Sequence, residues 1–578
     1  MINSKIILGV NAFHADSSAC LIIDGRLVAA IEEERINRIK HYAGFPIKAI
    51  RECLLISDIN EKDITDVAFN TKPLSNLIPK GIHYLKNLSF KESFAKKRFL
   101  KKKNIHNIFY EKLNLNKNVK FHYIEHHLSH IASAFYSSGF KIADGLSIDG
   151  SGDFVTLAIS ECRNNKIKIK EKINFPNSLG IFYHAMTQFL GFKKYGDEYK
   201  VMGLAAYGSP KYFDKIKDNL FINNNKLIFE LNLEYFNHHK NNFQYIAGES
   251  LVIDQIFNAN LIKLFSIELN NIKNKDQFTK DFASSVQKIY EFFFIKIVEK
   301  ISLNKFSKNL VFAGGCALNS SANKLITNDK KLFENIYIPY APGDNGGALG
   351  AAFVVSTKYN NNIHNSMSPY LGTEFSNDEI LNILKNNVYK NKVTYKFIEN
   401  DSELFNSAAQ LISEGNVIGW FQGKMEFGPR ALGNRSILAD PRNPNMKSII
   451  NMKIKRRESF RPFAPSVLED HQSDWFETNF INPYMTTLAT VKQDKQELIP
   501  AVTHIDGTAR LQTVNSINNS KFAKLINSFY SLTGVPILLN TSFNENEPIV
   551  MKPEESLDCL VRTDMDAVFI NNYLVTKA

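Results

Sequence analysis

Two stretches of the chain follow one plan: strand, polar turn, strand, tight turn, strand. In the first, the apolar run 6–10 passes through a polar turn at 11–17 into 19–23, and Asp24-Gly25 signals a hairpin into 27–31. In the second, Leu146-Ser-Ile-Asp149 leads into the glycine-rich turn Gly150-Ser-Gly152-Asp153. A run at 154–159, an Asn164-Asn165 turn and a strand alternating at Ile167 and Ile169 follow. The two stretches are not alike residue by residue. A common strand plan without common residues predicts a duplicated α/β architecture.

The chain has room for that and more. Its 578 residues, 44% hydrophobic, exceed what one hydrophobic core can organise, so two or more domains are expected. Only 28 glycines, 18 prolines and 5 cysteines exclude collagen-like, disordered and disulfide-scaffold classes. The cysteines (Cys20, Cys53, Cys162, Cys316, Cys559) are dispersed and lack metal or CxxC spacing. They are expected to be reduced, in the cytoplasm. No apolar run reaches the roughly 18–20 residues of a membrane span, and the N-terminus reads as a first strand, not a signal peptide.

After the second meander, Phe282, Val286, Ile289, Phe293 and Ile297 keep helical spacing, and a strand at 309–312 runs into Gly314-Gly315 and a further helix through Ala322. Polar, Asn-rich sequence then suggests a linker at 361–398, between a domain at 1–360 and a second at 399–578, where a strand at 417–421 opens a new α/β pattern. The net charge of +12, from 70 Lys+Arg against 58 Asp+Glu, fits nucleic acid, anionic small substrates or a compositional bias without function. The Lys/Arg clusters at 96–98 and 101–103 read as a solvated helix face, since aromatic interleaving is thin.

Several clusters carry chemistry. His126-His127-Leu-Ser-His130 places two imidazoles at i and i+4 on one helix face, as two-point metal chelation requires. Asp149 beside a glycine turn and Asp344 in Pro342-Gly-Asp-Asn-Gly-Gly347 are acidic companions, although the first also suits a turn and the second an N-cap. Two His with two Asp suit iron, manganese or zinc better than magnesium. Gly314-Gly315-Cys-Ala-Leu-Asn319 lies between strand and helix, where backbone can approach a nucleotide. His14 in the first polar turn is placed as a general base, or as part of a turn-capping cluster. In the second domain, Gln422-Gly-Lys424-Met-Glu426-Phe-Gly428-Pro-Arg430-Ala-Leu-Gly433-Asn-Arg435-Ser436 and Lys455-Arg456-Arg457-Glu458-Ser-Phe-Arg461 form an arginine- and glycine-dense set. Guanidinium forks among glycines suit a polyanion pocket. Surface arginines paired with Glu426 and Glu458 would explain the charges but not the glycines. His504-Ile-Asp506-Gly-Thr508-Ala-Arg510 and Asn540-Thr-Ser-Phe-Asn544 are polar loops suited to complete the pocket.

Taken in order, these motifs, with Ser18-Ala-Cys-Leu-Ile-Ile-Asp-Gly-Arg26, Glu32-Glu-Glu-Arg35, Arg38-Ile-Lys40-His41 and Glu198-Tyr-Lys-Val-Met-Gly-Leu204, resemble the NodU/CmcH-type O-carbamoyltransferases across nearly the whole chain. The resemblance implies an N-terminal ASKHA (actin-like ATPase, duplicated) domain followed by a YrdC-like α/β domain. It implies that carbamoyl phosphate and ATP form carbamoyl adenylate in the second domain, with Lys424, Arg430, Arg435, Ser436, Lys455, Arg457, Arg461, Arg510 and Asn540 handling the two polyanions. It implies transfer in the first domain to a hydroxyl of a sugar, glycan precursor or small natural product. There the metal ligands are His126, His130, Asp149 and Asp344. His14 and Lys40 are the catalytic residues, and Gly314, Gly315 and Asn319 adjoin the nucleotide. Iron(II) is the metal carried forward, with manganese or zinc as alternatives and magnesium accompanying ATP. A homodimer stays open, and neither a membrane nor a nucleic-acid partner is expected. Competing functions are a tRNA threonylcarbamoyladenosine-type modification protein and a non-catalytic actin-like nucleotide-binding module.

Overall fold

A computed structural model describes residues 4–86, 104–223, 227–240, 250–270, 275–359, 363–364, 367–386, 388–458 and 460–578. The basic clusters at 96–98 and 101–103 lie outside them. The chain divides into two compact units, Met1–Met367 and Ser368–Ala578.

The first unit holds two five-stranded sheets. One comprises β1 (Ile6–Asn11), β2 (Ser18–Ile23), β3 (Arg26–Glu32), β4 (Asp66–Phe69) and β5 (Lys120–Tyr123), in the order β3-β2-β1-β4-β5. The other comprises β6 (Ile142–Gly152), β7 (Val155–Arg163), β8 (Lys166–Asn174), β9 (Asn309–Ala313) and β10 (Asn335–Tyr337), in the order β8-β7-β6-β9-β10. Each is an antiparallel meander whose first strand then pairs in parallel with a fourth, and the fourth with a fifth. The repeated order establishes the duplication that the two meanders predicted. Central β1 is buried along its whole length. Edge strand β8 instead alternates exposed Lys166, Lys168 and Lys170 with half-buried isoleucines, a pattern that keeps an open edge from pairing with other chains. Part of the positive charge is therefore solvated surface.

Two helices fix the region of interest. The helix His126–Ser137 starts where the Glu125 carboxylate accepts the Leu128 N–H at 2.8 Å, and its Ile131, Ala134 and Phe135 pack on Ala143, Ala158 and Val311 of the second sheet. The helix Gly346–Thr357 is built from glycine, alanine and small apolar residues because it is packed closely on both sides. A Cβ at Gly350 would lie 1.7 Å from the Ser129 carbonyl oxygen of the neighbouring helix. Asn345, not Asp344, caps it, its side chain accepting the Gly346 N–H at 3.0 Å. Asp344 is thereby left for other work. The apolar helix spacing at 282–297 falls in the long helix Lys275–Leu303. Among the described residues no helix is long and apolar enough to cross a membrane.

The second unit is a mixed eight-stranded sheet in the order β11-β20-β19-β12-β13-β18-β14-β17. Its strands are β11 (Val393–Phe397), β12 (Ile418–Phe421), β13 (Arg435–Ala439), β14 (Ala464–Leu468), β17 (Gln512–Val514), β18 (Ile537–Ser542), β19 (Ala567–Ile570) and β20 (Tyr573–Lys577), and β15 (Leu488–Thr490) pairs separately with β16 (Thr508–Arg510). The expected linker at 361–398 needs correction. Residues Asn377–Asn386 form a helix that buries Ile380 and Leu384, and β11 pairs antiparallel with β20 near the other end of the unit. The Asn-rich composition hid both: the helix has only a narrow apolar stripe, and an edge strand such as β11 buries one residue, Val393.

Candidate active sites

In the first unit the four expected metal ligands come together. His126 and His130 project from the first turns of their helix, Asp149 from β6, and Asp344 from the turn before the Gly346 helix. His126 Nε2 is 2.9 Å from Asp149 Oδ2 and 3.4 Å from Asp344 Oδ1. His130 Nε2 is 3.4 Å and 3.5 Å from the same two atoms, and the two Nε2 atoms are 3.0 Å apart. Donors bound about 2.1 Å from one ion lie roughly 3.0–3.4 Å from each other, so the separations fit a first-row divalent metal. The buried polar atoms agree: Asp344 Oδ1 has no hydrogen-bond partner, and the two imidazole Nε2 atoms face each other at 3.0 Å. Burial disfavours charge on His130, yet Asp149 and Asp344 outweigh it and raise its pKa to about 9. Burial likewise opposes the Asp149 carboxylate, and the two histidines hold it well below the ordinary carboxylate range. His127 faces elsewhere. Its Nε2–H donates to the Val155 carbonyl and its Nδ1 meets Ser147 Oγ, both at 2.9 Å, as a core histidine does.

The Gly314-Gly315 turn serves this cluster. Gly314 adopts φ +96°, where a Cβ would lie 2.2 Å from the Ile148 carbonyl oxygen, and the Gly315 N–H donates to Asp149 Oδ1 at 3.1 Å. The turn therefore aims the second oxygen of Asp149 at the histidines. Instead of one long helix, a short 3-10 turn precedes the helix Ser320–Lys324, which Asn319 caps while exchanging amide hydrogen bonds with Gln287. Asn319 is thus held by the protein itself.

His14 is buried and stacks on His126 with centroids 4.9 Å apart, its Nδ1 3.9 Å from Asp344 Oδ2. Lys40 does not share this position. It is exposed, and the neighbouring His41 turns inward to pair with Asp16 at 2.8 Å while its backbone N–H donates to Glu34. The sequence motif contained His41, but adjacency alone does not tell which side chain of a loop faces in. Asp153 was missed in the same way. Its carboxylate accepts the His126 and Lys72 N–H groups and the Thr71 hydroxyl, fixing the start of the helix His126–Ser137.

In the second unit the arginine-rich set divides into fully buried and partly exposed members. Arg435 is fully buried. Its guanidinium donates to the carbonyls of Gln422, Asn434, Thr373 and Gly423 at 2.7–3.1 Å and lies 3.6 Å from the Phe421 ring centre. Burial lowers its pKa to about 10, and it stays charged at neutral pH. Lys455, buried, donates to the Ser542 and Asn544 carbonyls and Asn544 Oδ1 at 2.6–2.7 Å. Ser436 Oγ accepts the Gly433 N–H, and Asn540 joins a buried network with Ser466 and Gln512. These four residues, expected to bind the polyanions, are buried and hold the loops through hydrogen bonds within the protein. Glu426, read as a surface partner, is buried and accepts the N–H groups of Leu432, Asn434 and Arg435, which shapes the Gly428–Asn434 turn.

Arg430, Arg457 and Arg510 are different. They are partly exposed and close together: burial, then the like charges of Arg430 and Arg457, push Arg510 well below the usual guanidinium range. Arg457 lies 4.7 Å over the Phe463 ring. Arg461 pairs with Glu458 at 3.2 Å, and Lys424 is exposed. Clustered like charge of this kind favours a polyanion.

Comparison with known proteins agrees with both halves. The family profile described as Carbamoyltransferase N-terminus matches residues 6–353, and that described as Carbamoyltransferase C-terminus matches residues 409–577. The nodulation protein NolNO of Sinorhizobium fredii is 34% identical over 98% of this chain and 80% of its own length. The nodulation protein NolO of Bradyrhizobium diazoefficiens is 36% identical over 78% of this chain and 79% of its own. The protein sll1178 of Synechocystis sp. is 37% identical over 99% of this chain and 96% of its own. Among solved structures, component A of the (R)-2-hydroxyglutaryl-CoA dehydratase of Acidaminococcus fermentans is a distant similarity, 12% identical with a TM-score of 0.33, covering 61% of this chain and 99% of that one. The chain, matched by both halves of the profile and by relatives over most of its length, belongs to the carbamoyltransferase family and is a carbamoyltransferase.

Proposed function

We propose that the protein is a metal-dependent O-carbamoyltransferase that activates its carbamoyl group as an adenylate. In the second, YrdC-like unit, carbamoyl phosphate, ATP and water become carbamoyl adenylate, phosphate and pyrophosphate. Arg430, Arg457 and Arg510 hold the phosphates there, with Arg461 and Lys424 at the margin. In the first, actin-like unit, His126, His130, Asp149 and Asp344 hold a divalent metal, iron(II) or else manganese or zinc. When bound, it supplies Lewis acidity toward carbamoyl or phosphate oxygens. The acceptor hydroxyl oxygen attacks the carbamoyl carbon, the C–O bond to AMP breaks, and the proton passes to His14. His14 Nδ1 lies 3.9 Å from Asp344 Oδ2, which puts the imidazole against the four donors. Stacking on His126 keeps the imidazole beside the residues that would hold the metal.

The observation that carries this reading is the convergence of four metal-competent donors within 4.8 Å of one another, with His14 against them. The test is exchange of labelled pyrophosphate into ATP by the full chain, with and without carbamoyl phosphate. Exchange that requires carbamoyl phosphate is expected. Arg510→Ala should lower it by roughly 100-fold or more. His130→Ala should spare exchange and abolish transfer to an acceptor. Loss of both variants at the same step would overturn the division of labour.

A further inference from the structure

The arginines of the second unit account for holding an anion but not for telling one acyl phosphate from another. Arg430, Arg457 and Arg510 offer only donors, and donors meet phosphate and carbonyl oxygens alike. Carbamoyl phosphate carries one donor of its own, the NH2 group, and only an acceptor can read that end. The carboxylates of the arginine-rich loops are committed elsewhere. Glu458 pairs with Arg461 at 3.2 Å, and Glu426 accepts three backbone N–H groups. A carboxylate would also repel the phosphate beside it.

His504 supplies a neutral acceptor. Gly507, at φ +75°, donates its N–H to the His504 carbonyl at 3.0 Å, and the His504 N–H donates to the Thr508 carbonyl at 2.7 Å. This tight turn folds His504 back onto β16. Ala509 of that strand is fully buried in the core, so Thr508 and Arg510 on either side of it share the opposite face. The imidazole joins them there, its Nδ1 3.1 Å from Thr508 Oγ1. The contact fixes the tautomer. The Thr508 hydroxyl gives its one proton to Asp506 Oδ1 at 2.7 Å, so its oxygen accepts and His504 Nδ1 carries the hydrogen. Nε2 is left as a lone pair, a buried atom with no hydrogen-bond partner among the described residues. Burial lowers the pKa of this imidazole to about 4; Asp506 opposes the shift, and the charges of Arg510 and Lys447 add to it. At neutral pH the ring is therefore uncharged and does not repel a phosphate. A buried acceptor left unpaired is costly, and a donor on the ligand relieves that cost.

We propose that His504 determines the specificity of the second unit for a carbamoyl over other acyl phosphates, its Nε2 accepting the carbamoyl N–H while Arg510 holds the phosphate. Asp506 and Thr508 are the positioning residues that keep the hydrogen on Nδ1. The assignment rests on the activation reading above. An acyl phosphate with a methyl group in place of NH2 leaves Nε2 unpaired and is rejected for that reason.

The test is titration calorimetry of the full chain with two stable analogues, phosphonoacetamide and acetonylphosphonate, which differ only in NH2 against CH3. The parent should bind the amide roughly tenfold or more tighter. His504→Leu should bring the two analogues within about twofold of each other, by weakening the amide and leaving acetonylphosphonate unchanged. Thr508→Val, which keeps the shape and removes the hydroxyl that fixes the tautomer, should reduce the preference by about threefold or more. Should His504→Leu melt well below the parent by tryptophan fluorescence, Thr508→Val decides alone. Failure of the amide to bind the parent, equal affinities in the parent, a preference kept by the decisive variant, or an equal loss of both analogues in it would overturn the assignment. Carbamoyl-phosphate-dependent pyrophosphate exchange separates the two levels. Exchange without an amide preference removes the role of His504 and leaves the activation reading standing, and an amide preference without exchange does the reverse.

Discussion

Arg435 offers the sharpest check, because sequence and structure assign it different tasks. In an arginine-rich loop it reads as a phosphate ligand. In the fold its guanidinium makes four hydrogen bonds to backbone carbonyls, of Gln422, Asn434, Thr373 and Gly423, and stacks on Phe421. Arg435→Ala strands four acceptors in a site where the side chain is fully buried. Each unsatisfied buried acceptor costs roughly 1–3 kcal/mol. The lost cation–π contact adds about 1–2 kcal/mol, and release of a desolvated charge offsets part of the sum. A net loss of about 4 kcal/mol or more follows, a large share of a domain's typical 5–15 kcal/mol. For a unit of this size it corresponds to roughly 10 °C or more in melting temperature. Arg435→Lys keeps the charge but cannot span four carbonyls, and about half that loss is expected. The assay is built into the chain: both tryptophans, Trp420 and Trp475, lie in the second unit, so tryptophan fluorescence follows its unfolding. A melting temperature for Arg435→Lys within about 1 °C of the parent, together with a tenfold loss of carbamoyl phosphate binding, would refute the scaffold role and restore the ligand one.

Two further outcomes test the first unit. Gly350→Ala places a Cβ 1.7 Å from the Ser129 carbonyl oxygen, so the Gly346 and His126 helices must separate. Overpacking of this kind costs roughly 1–3 kcal/mol or more, and because His126 rides on one helix and Asp344 on the turn that leads into the other, calorimetric metal affinity should fall as well. Retained affinity would show that helix spacing does not set the site. His238 is buried, donates through Nε2 to the Pro176 carbonyl, and has its pKa lowered to about 4 by burial. The unfolded chain, with an ordinary histidine near 6.5, binds the proton more readily, so this stability is full above about pH 6.5 and is lost as pH falls toward 4. The loss is about 3 kcal/mol. Circular-dichroism melts should show His238→Phe less steep than the parent across that window; identical slopes would exclude His238 as a source of acid lability.

Much of the fold was legible because its signals are local. Alternating apolar residues and Asp-Gly or Asn-Asn turns specify hairpins wherever they occur, and both meanders form as their sequence indicates. The His126–His130 spacing needs only a helix to put two imidazoles on one face. The helix and strand inside the expected linker were illegible for the converse reason. Their stability comes from burying Ile380, Leu384 and Val393 against partners remote in sequence, β11 pairing with β20.

The sequence by itself determined the repeated strand plan, the metal-competent residue types and the arginine-rich character of the second unit. Only the tertiary structure decided which neighbours do which work. His41 rather than Lys40 turns inward because Asp16 and Glu34 accept its two N–H groups. Asp344 is free of capping because Asn345 takes that task, and it reaches the histidines because a helix of small residues lets two backbones come close. Arg435 is scaffold because three carbonyls of a glycine-rich stretch and that of Thr373 converge on its guanidinium, whereas Arg510 meets two more of its own charge. Residue type fixes what a side chain is able to do; the unsatisfied groups that the fold places around it fix what it does.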